Sequence, residues 1–169
     1  MKQWLFLLLA MPLAAAALDN PDSDFYTKAM QSGLAEVDGG QLAQQRSKNP
    51  QVLAFAGMMV KDHSAANSRL RDIAVSNSVD LPIAMNSQQA AKRAKLAGLT
   101  GDDFDRSYIE WQIFMHRDAI ALFKMEAESG DDREARQFAA DTLPTVQSHL
   151  KELLAMPVIQ PPPAAPAAP

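Results

Sequence analysis

The 169-residue sequence contains no cysteine. That absence removes disulfides, thiolate metal sites, thiol nucleophiles and lipidated cysteines together. Basic residues are not in excess either: 16 Lys and Arg face 20 Asp and Glu, a net charge of −4, so the basic face that nucleic acid requires is missing. Aromatics make up only 7% of the chain, whereas 47% is apolar and 21% charged, proportions of a globular protein and not of a disordered one. There is no Gly-rich phosphate loop, no G-x-S-x-G and no H-E-x-x-H. The length allows one domain, or two very small ones. With thiols absent, the three histidines are the most informative side chains in the sequence.

Residues 1–17 have the organisation of a bacterial secretory signal. Lys2 supplies the positive start, Trp4 to Leu13 a short apolar core, and Ala14 to Ala17 the small residues a signal peptidase reads. Cleavage is expected after Ala17 or Ala16, and the product is expected to be periplasmic or secreted. The apolar run is shorter than the roughly 20 residues of a spanning helix, so the mature chain should have no transmembrane segment; the competing reading is an uncleaved N-terminal anchor. Residues 156–169 are rich in Pro and Ala and read as an extended, disordered tail. Such a tail suits a spacer or the ligand of a protein partner.

The span between them, residues 18–155, is expected to be all-α. Alternation is absent, β-branched residues are sparse, and four long segments have helical spacing. The first begins near Ser23 as its cap, with Phe25, Ala29, Gly33, Glu36, Gly40 and Ala43 on one face. Asn49 caps the second, with Pro50 at its first position, where a missing N–H costs nothing; its stripe is Val52, Phe55, Met59, His63, Ala66, Leu70 and Ile73. The third begins near Asp102 and carries Phe104, Tyr108, Gln112, Met115, Ala119, Leu122 and Glu126, with His116 alongside. Gly130 ends it. The fourth is read as capped by Asp131 and presents Ala135, Phe138, Ala139, Thr142, Val146, His149 and Leu153, with a kink expected before Pro144. Turns between the first and second, and third and fourth, helices are short. The connection from about Asn77 to Gly101 is long and holds a short helix, Ser87 to Ala97. Short, long, short is the pattern of a ferritin-like four-helix bundle with one long crossover between helices 2 and 3. The basic Lys92, Arg93 and Lys95 on this crossover read as a solvated face.

Four polar residues, one per long helix, interrupt the apolar stripes: Glu36, His63, His116 and His149. Each lies about 13 to 17 residues into its helix, which at 1.5 Å per residue is about 20 to 25 Å along helices of about 35 to 40 Å. A residue near mid-height stays there whichever way its helix points, so the four should meet near the bundle axis. Three imidazoles and a carboxylate suit one divalent transition metal: zinc, or iron or manganese with further ligands. Tyr108 and Gln112, two turns and one turn before His116, are placed to support the site or to join it. A hydrogen-bonded polar layer that fixes helix register explains the same residues without a metal. Met58, Met59 and Met115 near the histidines would suit copper(I), but core filling explains methionine more simply. The pairs Asp102–Asp103 and Asp131–Asp132 stand at helix starts, where capping accounts for them. Asp62 and Asp118 flank two histidines and are expected to point elsewhere.

The blocks GLAEVDGGQLAQQRSKNPQVLAFAGMMVKDH, FDRSYIEWQIFMHRDAIALF and FAADTLPTVQSHL resemble the exported bacterial domain-of-unknown-function family 4142. The resemblance runs from about Phe25 to Leu153. It implies a ferritin-like four-helix bundle and no settled activity. The two-metal centre of ferritin-like proteins uses Glu-x-x-His on two helices, whereas Val60, Ile113 and Val146 stand three before these histidines. That departure argues against a two-iron oxidase. Three readings follow: a single-metal bundle, a non-metal structural or stress-related envelope protein with a buried polar layer, and a weak metal-dependent oxidase or peroxide-handling enzyme.

Overall fold

The computed structural model describes residues 22–157. Residues 1–21, which include the expected signal segment, and the Pro/Ala-rich residues from 158 onward lie outside the described residues. The described chain is all-helical: α1 (Ser23–Arg46), α2 (Pro50–Ser76), α3 (Ser87–Ala97), α4 (Gly101–Ser129) and α5 (Arg133–Ala155).

Local chemistry sets the boundaries. The Asn49 side chain accepts from Gln51 N at 2.9 Å, and Pro50 opens α2. Asn86 and Gln89 form a reciprocal capping box on α3. Two caps differ from expectation. Ser23 is the first helical residue of α1, and Asp22 precedes it as cap. The Asp22 carboxylate does not cap its own helix; it accepts from the backbone N–H groups of Asp131 and Asp132, joining the start of α1 to the start of α5. The cap of α5 is Asp132, not Asp131, accepting from Glu134 N at 2.7 Å and Ala135 N at 3.2 Å. Helix α5 runs on through Pro144, an exposed position.

Helix α1 packs chiefly on α2, and α4 on α5; α1 also lies against α4, and α3 rests on α1 and α4. The α1–α2 approach is close because Gly40 has no side chain: a Cβ there would meet the Ala56 carbonyl oxygen at 2.9 Å. Two apolar clusters fill the interior. One holds Phe55, Met59, Phe104, Ile109 and Leu153; the other holds Phe25, Leu70, Phe123, Phe138 and Val146. Met156, assigned to the tail on composition, is buried in the first cluster. On α2, α4 and α5 the three histidines fall where one cluster gives way to the other.

Candidate functional site

Helices α2, α4 and α5 each bring one imidazole to this junction. Ring centroids are 5.7 Å apart for His63–His116, 5.7 Å for His63–His149 and 5.5 Å for His116–His149. One nitrogen from each ring lies within 4.8 Å of the other two. Phe55 closes one side, its ring 6.2 Å from His116 and 6.3 Å from His149.

The outer hydrogen bonds determine which nitrogens face inward. His116 Nδ1 lies 2.9 Å from the Gln112 carbonyl oxygen, one turn back on α4. A carbonyl only accepts, so Nδ1 carries the proton and Nε2 presents a lone pair. His149 Nε2 lies 3.2 Å from Asp62 Oδ2, which assigns that proton to Nε2 and leaves the lone pair on Nδ1. These two inward atoms, His116 Nε2 and His149 Nδ1, are 3.4 Å apart. With both outer bonds made by neutral rings, two lone pairs point at one another with no hydrogen between them. His63 Nε2 is buried with no partner at all.

Electrostatics keep the rings neutral. Burial lowers His63 to about 3, assisted by His116 and His149. Burial lowers His116 to about 4 against the opposing Gln112 carbonyl, with His149 adding to the fall. Burial also lowers His149, opposed by Asp62 and Glu152. Neutral imidazoles with converging lone pairs form a nitrogen donor set.

Glu36 is at the same height but outside that convergent group. Its Oε1 lies 3.6 Å from His116 Nδ1, the nitrogen turned away from the other two rings. Burial raises its carboxyl to about 8; the nearby Gln112 amide works against that shift, yet neither polar atom of that amide has a well-formed hydrogen bond. Tyr108 is buried, its hydroxyl unpartnered, its ring stacked on Phe104 at 6.0 Å. Burial and then the Glu36 charge push the Tyr108 phenol up. Glu36, Tyr108 and Gln112 therefore make a buried polar cluster behind His116.

One contact at this junction departs from expectation, that of Asp62 with His149. Asp62 was expected to point elsewhere and instead reaches α5. It is seven residues before Arg69, whose guanidinium bonds Asp141 of α5 at 2.6 Å, so both stand on the edge of α2 that faces α5; spacing alone puts the two on one face but does not say what lies opposite. Asp118 is exposed, as expected. Met59 and Met115 are core residues.

A family model described as a domain of unknown function, DUF4142, matches residues 9–156. No curated protein matches. Among solved structures, a DUF305 fragment from Deinococcus radiodurans is similar, with a TM-score of 0.70 at 14% identity, covering 79% of this chain and 92% of its own. A DUF305 protein from Streptomyces coelicolor, provisionally described as secreted, has a TM-score of 0.66 at 12% identity, covering 80% of this chain and 91% of its own. At such identities the likeness concerns the fold. No helix among the described residues is long and apolar enough to cross a membrane.

Proposed function

The chain belongs to the DUF4142 family, whose function is unknown, and from that premise we propose that it is an exported ferritin-like four-helix bundle that binds one divalent transition metal through His63, His116 and His149. The observation that carries this reading is the unsatisfied junction: two inward lone pairs 3.4 Å apart and a third imidazole nitrogen without a partner. Buried polar atoms in that state cost about 1–3 kcal/mol each, and a cation would turn the cost into bonds. The outer partners fit the same reading. A carboxylate on His149 and a carbonyl on His116 are the groups that orient imidazole ligands in metal sites.

Three nitrogens leave a fourth position open for water in a tetrahedral zinc site, and further positions for iron or manganese. Copper is the less favoured occupant, because Met59 and Met115 are engaged in the core. Glu36, whose carboxyl burial keeps protonated up to about 8, stands on the outer side of His116 and is not one of the three converging donors. The helix pairing and the α2–α4 connection through α3 support the one-crossover bundle. Residues 1–17, with their basic start and alanine run, support export.

Metal analysis of the chain purified from its native compartment tests this. The wild type should carry close to one ion per chain, and a His63→Ala/His149→Ala variant less than about a tenth of that. Equal, substoichiometric metal in both would refute it.

A further inference from the structure

A nitrogen site with His116 and His149 buried and His63 half-buried needs a route for a hydrated cation. On the α1–α4 side the histidines are sealed by Glu36, Gln112 and His116, all 2% exposed or less. The α2–α5 seam is different. These helices touch at far fewer places than the α1–α2 and α4–α5 pairs. Asp62 stands in that seam with 29% of its side chain exposed, and it bonds His149, whose side chain is only 4% exposed. Glu152, exposed and one turn beyond His149 on α5, acts electrostatically on the same imidazole. Arg69, two turns along α2 from Asp62, is held by Asp141, and Lys61 and Lys151 are exposed beside Asp62 and Glu152 in the sequence.

The geometry points to an acidic port at the α2–α5 seam: Asp62 and Glu152 draw a divalent cation to the edge of His149, past which it reaches the three-histidine site. This inference rests on the metal-binding reading above. Asp62 has two parts in it. It holds the His149 Nε2 proton, so Nδ1 stays free for the ion, and its exposed oxygen puts negative charge at the mouth. Glu152 has only the second part, since no hydrogen bond ties it to His149. The proton on His149 Nε2 stays in place throughout, and only water leaves the cation. Carboxylates at the mouth of a low-dielectric cleft concentrate counter-ions and raise association rates, an effect that salt screens.

The test is stopped-flow binding of Co²⁺ to the full chain, followed by Co²⁺ absorption at two ionic strengths, with circular dichroism to confirm that each variant is folded. Glu152→Gln should slow association severalfold at low salt and leave dissociation unchanged. Asp62→Asn should slow association and speed dissociation. The double variant should associate roughly tenfold more slowly at low salt, the difference shrinking at high salt. Wild-type association rates in Glu152→Gln and Asp62→Asn would overturn the port and leave the metal site standing. Faster dissociation of Asp62→Asn alone would also overturn it, leaving Asp62 as a positioning residue only. If the wild type bound no Co²⁺, both readings would fall. Should Asp62→Asn not fold, Glu152→Gln decides by itself.

Discussion

Replacing His63 by leucine should stabilise the metal-free protein, although the residue stands at the centre of the proposed site. In the folded chain His63 Nε2 is buried without a partner, and burial lowers its pKa to about 3, so it cannot recover by taking a proton at neutral pH. An unsatisfied buried polar atom costs about 1–3 kcal/mol, and an apolar side chain of similar size removes that cost. For about 135 folded residues, 1 kcal/mol corresponds to about 3–5 °C in Tm. His63→Leu should therefore melt about 3–15 °C higher in a chelator. Metal at about 1,000 times Kd reverses the order across that whole range. At 100 times Kd an ion adds about 2.7 kcal/mol to the wild type, and at 1,000 times Kd about 4.1 kcal/mol. The variant has lost a ligand and should gain far less. Scanning calorimetry of both proteins, with chelator and with Zn²⁺, reads all four melting points. A loss of more than about 1 kcal/mol in the chelator would show that His63 is already satisfied within the fold. Equal Zn²⁺ shifts in both proteins would show adventitious binding.

Other outcomes follow from the same packing and charges. Glu36 holds its proton in the fold up to about 8 against an ordinary value of 4.5, so its stabilisation is full below 4.5 and lost as pH rises through 8. Glu126, raised to about 7, acts with the same sign lower down, which makes pH 7 to 8 the diagnostic range. There, urea unfolding of the metal-free wild type should weaken by up to about 1.4 kcal/mol per pH unit, and that slope should vanish in Glu36→Gln. On the acid side, His63 at about 3 and His116 at about 4 are depressed from 6.5. The unfolded chain takes up those protons first, which lowers metal-free stability as pH drops below 6.5; Glu36 and Glu126 act in the opposite sense down to 4.5, so the fall over that range should be plain in Glu36→Gln and nearly cancelled in the wild type. Gly40→Ala puts a Cβ 2.9 Å from a backbone oxygen of α2; it should cost about 1–3 kcal/mol by urea titration, because neither backbone can yield cheaply. Tyr26→Phe removes a hydroxyl that donates to Asp132 at 2.9 Å and accepts from Asn77 at 3.1 Å, and should cost about 1–3 kcal/mol.

Helix positions are legible in the sequence where a side chain meets its own backbone. Asn49–Pro50 and the segment Ser87–Ala97 stand where spacing puts them, since caps and periodicity act locally. Asp131 and Asp132 are indistinguishable by residue type. The choice of Asp132 depends on Asp22, more than a hundred residues away, taking the N–H groups of both. The height of the three histidines is legible too, because rise per residue is fixed. Lateral placement is not. Whether Glu36 lies inside the imidazole cluster or behind His116 depends on helix rotation and rotamer, neither of which residue counting resolves. Asp62 illustrates the same limit, for it occupies the border of a stripe whose centre is apolar, and only the position of α5 decides that it is used.

The central claim is that three imidazoles share one ion. Anomalous diffraction from crystals grown with Zn²⁺, collected on both sides of the metal edge, tests it most directly. The account predicts one strong interior peak, about 2.0–2.1 Å from a nitrogen each of His63, His116 and His149. Peaks confined to surface carboxylates, with the histidine junction empty, would contradict it.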